Sequence, residues 1–128
     1  MNSQLTKILC IDDDADILEI VKVSLEVLGS YSLVTCLGGH DGIAQAMRWQ
    51  PDLILTDVMM PEVDGLETFR LLRDNIATTR IPVVFMTARV EPSQITEYRS
   101  LGVAAVIQKP FDVVKLPGEI RDVWAGIQ

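Results

Sequence analysis

Residues 53–67 read LILTDVMMPEVDGLE, and the fold follows from how this stretch divides. Leu53 to Thr56 is an apolar run short enough for a buried strand, and Asp57 stands at its C-terminal lip. Asp64 is placed to cap a helix that turns Leu66, Phe69 and Leu72 inward. Strand, polar loop and helix in that order make one βα unit. Working outward, Lys7 to Ile11, Tyr31 to Cys36, Pro82 to Thr87 and Ala104 to Gln108 are the other strand-like runs. Their alternation with segments of helical period predicts an α/β fold, a parallel sheet covered by helices on both faces.

The helical segments carry their own start and stop signals. Ile17, Val21, Leu25 and Leu28 recur at helical spacing after a run of acidic N-cap candidates, and Gly29 is available as the stop. A second helix is expected from His40 or Asp41 to Gln50, with Ile43 and Met47 on one face and Pro51 ending it. Helix four opens near Pro92 and Ser93, turns Ile95, Tyr98 and Leu101 inward, and stops at Gly102. Asp112 looks like the cap of the last helix, but Pro117 would then clash with the preceding turn at a cost of about 3 kcal/mol. The main helix is therefore expected to start at Pro117, after a turn over 112–116, with Ile120, Val123 and Ile127 facing the core.

The chain's 128 residues, 48% of them apolar, suit one compact domain spanning 1–128 and leave no room for a second. Eleven basic against 18 acidic residues give a net charge of −7, which disfavours an unassisted grip on a phosphate backbone, so no direct nucleic-acid partner is expected. No apolar run approaches the roughly 20 residues that cross a bilayer. The polar start, Met1 to Thr6, is unlike a signal peptide. These features predict a cytoplasmic protein with no membrane partner. Cys10 and Cys36 lie in apolar stretches without metal-binding spacing and are expected as free thiols.

In an open parallel sheet the ligand lies beyond the carboxyl ends of the strands, and the unusual polar residues fall there. Asp12, Asp13 and Asp14 follow strand one, Asp57 strand three, Thr87 strand four and Lys109 strand five. Clustered carboxylates repel one another unless a cation is present. A hard divalent ion with oxygen ligands relieves the repulsion, and few protein ligands with retained waters favour magnesium. With the ion and Lys109 neutralising charge, the rim can receive a dianionic phosphoryl group, and a carboxylate nucleophile would become an acyl phosphate. The Thr87 hydroxyl is placed to donate to a phosphoryl oxygen.

Four motifs match a family pattern. Asp12-Asp13 after ILCI, Asp57 in the stretch quoted above, Thr87 in VVFMTA and Lys109 in QKPF resemble the receiver domain of two-component response regulators, of the single-domain, chemotaxis-regulator type. The resemblance runs from about Lys7 to the C-terminus. It implies a flavodoxin-like three-layer sandwich, a doubly wound five-stranded parallel sheet of order 2-1-3-4-5. It makes Asp57 the phosphoacceptor, with a histidine kinase or histidine phosphotransfer protein as donor and a downstream protein as target. Asp13, Asp57 and the backbone carbonyl of Met59 would bind Mg2+ directly and Asp12 through water, while Lys109 pairs with the acids and then with the phosphoryl group. The Lys109-Pro110 peptide is expected to be cis. The protein would be a switch rather than an enzyme. With no output domain in these residues, it would bind another protein, pass phosphate onward, or be a piece of a larger chain.

Three positions depart from the pattern or modulate it. Receivers commonly carry Tyr or Phe three residues before the lysine, where this chain has Val106, so read-out must use other groups such as Ile107 or the Arg89 loop. Met59 and Arg89 occupy positions that tune phosphoryl lifetime in receivers, and the long apolar side chain and the cation predict slow hydrolysis.

Elsewhere, His40 reads as an exposed helix-start residue, Tyr98 as packing rather than signalling or else as an exposed anchor for a partner, and Trp49 and Trp124 as partial core or partner surface; Arg70, Arg73 and Arg80 read as solvated. Three other functions compete. A dehalogenase-like phosphatase would need an aspartate where Met59 stands. A flavin or nucleotide binder would need a Gly/Ser/Thr-rich loop where the acidic run stands. The third is a receiver-like interaction module that does not accept phosphate.

Overall fold

The structure is a computed structural model and describes residues 4–88 and 91–127. Five parallel strands, β1 (Lys7–Ile11), β2 (Ser32–Cys36), β3 (Leu53–Asp57), β4 (Val83–Thr87) and β5 (Ala105–Gln108), form one sheet of order β2-β1-β3-β4-β5. The helices are α1 (Ala15–Val21), α2 (Gly39–Trp49), α3 (Gly65–Asp74), α4 (Pro92–Leu101) and α5 (Leu116–Ile127). Both faces of the sheet are covered, as its near-continuous apolar strands require. Ile8, Cys10, Leu55, Val84 and Met86 pack with Leu18 and Val21 of α1, Leu25 of the segment that follows it, and Leu116 and Ile120 of α5. The alternate residues Leu9, Ile11, Ile54, Val83 and Phe85 pack with Ala46, Phe69 and Leu72 from α2 and α3. The period-two alternation of strand side chains thus splits one apolar sequence into two cores.

Several expectations are corrected. The first helix widens after Val21 into a π-helical segment, Lys22–Leu28, whose end bonds Gly29 N–H to the Ser24 carbonyl at 3.0 Å. The extra residue per turn rotates Ser24 inward beside Leu25 and leaves Leu28 half exposed, so Leu28 is not core. Ser24, fully buried, donates its hydroxyl to the Val113 carbonyl at 2.6 Å and so ties this segment to the turn before α5. On α2 the inward stripe is Gly39, Gly42 and Ala46 rather than Met47, because the missing side chains let the helix close onto Ile11.

On α4, Leu101 is exposed, and no residue of that helix is fully buried. Ile127, the last residue of α5, is exposed at the rim of a surface hollow beside Ala104 and Ala105 and so is not core. That helix begins at Leu116, one residue before the expected Pro117. Asp112 caps the turn ahead of it, accepting from Val114 N–H at 2.9 Å and Lys115 N–H at 3.2 Å, so the proline still lies in the first turn where its missing donor is harmless. Arg73 is half-buried rather than solvated: it donates to the Ile81 carbonyl at 2.8 Å and lies 4.7 Å from the Phe69 ring centroid. Both cysteines are free, Cys10 buried and Cys36 partly so.

Gly65 opens α3 where the chain returns to the end of β3, and its N–H donates to the Val58 carbonyl at 2.8 Å. A Cβ there would press on the Asp57 carbonyl oxygen and lie 2.7 Å from Val58 Cα, both backbone atoms that cannot turn aside. Gly65→Ala is expected to lower stability by about 1–3 kcal/mol, read as a lower urea midpoint at unchanged slope; an unshifted midpoint would show that this contact is not tight.

Candidate functional site

Strand register builds the site. In the parallel ladders Ile11 pairs with Thr56, Asp57 with Met86, and Thr87 with Gln108, so adjacent strands end together. The next residue of β1 is Asp12, the last of β3 is Asp57, the last of β4 is Thr87, and the residue after β5 is Lys109. The edge continues by backbone bonding, Val58 N–H to Met86 carbonyl at 3.1 Å and Lys109 N–H to Thr87 carbonyl at 2.8 Å. With strands about 4.8 Å apart, these side chains meet although they lie up to 97 residues apart in sequence.

Lys109 Nζ lies between two carboxylates, donating to Asp12 Oδ2 at 2.7 Å and standing 3.2 Å from Asp57 Oδ1. Asp12 is fully buried and Asp57 nearly so. Burial acts to lower the lysine's pKa, but the hydrogen bond and charge of Asp12, joined by Asp57, prevail and raise it. Burial first, then the charge on Asp12, push the Asp57 carboxyl above the usual carboxylate range, with Lys109 pulling partly back. Asp12, Asp13 and Asp57 each offer one oxygen, all within 4.8 Å of one another. Asp13 is exposed and completes the mouth of the cluster. The Lys109-Pro110 peptide is cis.

Of the four acids placed on the rim by the sequence, Asp14 is not in the cluster. It is the N-cap of α1, its Oδ1 accepting from Asp16 N–H at 2.9 Å, because the unpaired first-turn N–H groups of a helix take the nearest oxygen. Asp64 likewise caps α3, accepting from Glu67 N–H at 2.8 Å. Thr87 is nearly buried at the end of β4, and the Met59 side chain is 77% exposed beside Asp57. Arg89 lies outside the described residues. His40 is exposed in the first turn of α2 and is not among the residues that cluster with the carboxylates. A cavity of about 500 Å3 opens from Asp57, Thr87 and Lys109 toward Glu91, which precedes α4, and toward Gln94 and Tyr98 on that helix. The sequence turned Tyr98 inward on this helix but gave no signal that it would face the carboxylates, since the placement of α4 is a matter of tertiary packing.

The family model for the response regulator receiver domain matches residues 8–121. The chain belongs to that family. It is 36% identical to the DNA-binding dual master transcriptional regulator RpaA of Synechocystis over 90% of this chain and 47% of that protein. It is also 36% identical to the transcriptional regulatory protein ResD of Bacillus subtilis, over 83% of this chain and 42% of that one. The chain thus spans about half the length of the curated relatives it matches. Among solved structures, the chemotaxis protein CheY4 of Vibrio cholerae superposes with a TM-score of 0.86 at 26% identity, covering 94% of this chain and 99% of that one. A response regulator from Desulfuromonas acetoxidans shares the fold, with a TM-score of 0.86 at 23% identity over 96% and 99% of the two chains. Receiver domains are phosphoacceptor switches of two-component systems, so the family implies a phosphodonor kinase and downstream targets in general. No helix among the described residues is long and apolar enough to cross a membrane.

The raised Asp57 pKa means that the folded chain holds this proton more tightly than the unfolded chain. Stability from this group is therefore full below the ordinary value of 3.8 and lost as pH rises through the higher folded-state value. Without divalent ions, Asp57→Asn is expected to be more stable than the parent at neutral pH, the gap closing as pH falls below 3.8. Denaturant titrations across pH measure it, and a parent equal to or more stable than the variant at pH 7 contradicts it.

Proposed function

We propose that Asp57 accepts a phosphoryl group from a histidine kinase or histidine phosphotransfer protein, and that residues 1–128 act as one receiver domain, working in the cytoplasm, whose protein-binding surface switches with phosphorylation. The observation that carries this reading is Lys109, held 2.7 Å from Asp12 and 3.2 Å from Asp57 across two buried carboxylates. A carboxylate oxygen of Asp57 attacks the phosphorus of the donor's phosphoimidazole. The P–N bond breaks, its electron pair stays on the imidazole nitrogen, and an acyl phosphate forms on Asp57. Lys109 is within reach of the incoming phosphoryl oxygens, and its charge offsets theirs as Asp57 loses its own. The Thr87 hydroxyl, on the adjoining strand end, donates to another of those oxygens.

The donor set fits Mg2+. Asp12, Asp13 and Asp57 each offer a carboxylate oxygen, all within 4.8 Å of one another, and hard oxygen donors of this kind suit a magnesium ion that keeps part of its water. Asp13 and Asp57, with the backbone carbonyl of Met59, would hold the ion directly. Asp12, whose Oδ1 accepts from Asp14 N–H at 2.9 Å and whose Oδ2 accepts from Lys109, would act through water, as the family pattern implies. When bound, the ion supplies positive charge to the phosphoryl oxygens.

Met59 stands two residues past Asp57 and can neither take nor give a proton, so this chain has no acid or base there to turn the acyl phosphate over as a phosphatase would. It acts as a switch and not as a hydrolase. A receiver-like module that accepts no phosphate is disfavoured by the geometry: a lysine pinned between two buried acids, beside a third at the mouth, is costly to desolvate for packing alone.

Incubation with a small phosphodonor and Mg2+ is expected to add one phosphoryl group by intact mass; no gain is expected without the ion or in Asp57→Asn. A gain that survives either omission would overturn the assignment. Met59→Asn, which replaces an exposed apolar side chain at the cavity mouth with one that can orient water, is expected to speed loss of the phosphoryl group several-fold in a time course of the same mass. Equal decay would exclude Met59 as a shield.

A further inference from the structure

The helix α4 is loosely held. None of its residues is fully buried, and only Ile95 and Tyr98 are partly so. Tyr98 anchors it: the ring stands edge-on to Phe85, with centroids 5.0 Å apart and planes at 79°. Phe85 is fully buried on β4 and meets Phe69 of α3 in the same manner at 6.2 Å, so three rings run in a row from α3 through the sheet to α4. Phe85 pairs across the ladder with Val106 on β5, and Val106 and Tyr98 pack on the same core. Thr87 lies two residues beyond Phe85 and so faces the same side of the sheet.

The volume beside this row is open. Tyr98 forms one wall of the cavity of about 500 Å3 whose opposite wall is Asp57, Thr87 and Lys109. Val106, short and branched at Cβ, packs on the core beside this row and is not part of the cavity wall. Tyr98 is also coupled to the backbone that follows it, because its carbonyl accepts the N–H of Val103, at 3.1 Å, and of Gly102, the left-handed residue that ends α4. A displacement at Tyr98 therefore moves both α4 and the turn into β5.

We propose that Tyr98 reads the phosphorylation state of Asp57 and carries it to the surface of α4. The inference rests on Asp57 as phosphoacceptor and Thr87 as a phosphoryl ligand. When the Thr87 hydroxyl turns to the phosphoryl group, the cavity wall facing Tyr98 changes shape. The ring then pivots on the edge of Phe85 into the open volume and draws α4 with it. A β-branched valine at 106 cannot make that movement, whereas a ring on α4 can, and it needs no intermediate group between the cavity and the helix.

Two measurements test this. The chain has two tyrosines, Tyr31 and Tyr98, and Tyr31 packs against the opposite core. In fluorotyrosine-labelled parent, assigned with Tyr31→Phe, phosphorylation is expected to shift the Tyr98 fluorine resonance and leave that of Tyr31 in place. Hydrogen exchange over residues 92–101 is expected to change about five-fold or more on phosphorylation of the parent and to fall within about twofold in Tyr98→Leu, although that variant gains the same phosphoryl mass. An unmoved Tyr98 resonance in phosphorylated protein overturns the proposal. So does a full α4 response in phosphorylated Tyr98→Leu. Should Tyr98→Leu fail to fold, the fluorine measurement on the parent decides alone. A parent that gains no phosphoryl mass overturns the reading of Asp57 and this proposal together, which separates that failure from the other two.

Discussion

Two carboxylates at the ends of neighbouring strands cannot both stay ionised out of water without a cation between them, and this constraint organises the molecule. β1 and β3 are adjacent and in register, so Asp12 and Asp57 are brought to one edge whatever their mutual repulsion. Lys109 answers it from the far end of the sheet, crossing β4 to reach both. The compensation is partial, since the Asp57 carboxyl remains pushed up by burial and by Asp12. A site left short of positive charge is one that gains from a divalent cation, and in which neutralising or esterifying one acid changes the balance for every group around it.

The fold holds the two sides of that site with unequal firmness. On the α1 and α5 face, buried Leu18, Val21, Leu116 and Ile120 pack under the strands, and the Ser24 hydroxyl ties the π-helical segment to the turn that follows Lys109 and Pro110. Gly65 presses the start of α3 onto the backbone of Asp57 and Val58. On the other side, α4 rests on the sheet largely through one aromatic edge. Rigid support under Asp57 and a weakly anchored helix across an open cavity is the arrangement in which a local change of charge can become a movement of surface, because low-stability elements are the ones that shift at small cost.

Much of this was legible in the chain itself. The strands were readable because each is a short apolar run between polar or glycine-containing loops, and the acidic run, Asp57, Thr87 and Lys109 were readable because polar residues at strand ends are conspicuous against such runs. The misreadings share one cause. Leu28, Leu101 and Ile127 continue a helical pattern that is locally sound, but a π-helical widening, a marginal helix and a position at the very end of α5 leave each of them exposed. Arg73 was misread in the other sense, since its Ile81 and Phe69 partners come from packing that no local window contains. Asp14 was indistinguishable from its neighbours until helix α1 claimed it as a cap.

By itself, then, the sequence determined the alternation of strands and helices, the two-sided burial of the sheet, and the chemical types available at its carboxyl edge, because apolar period and end-residue chemistry are local properties. Tertiary structure alone decided which acids converge, that Lys109 reaches two of them, and that Tyr98 faces the same cavity as Asp57. Those depend on strand order, register and helix placement, and they join residues up to 97 positions apart through distances of a few ångströms.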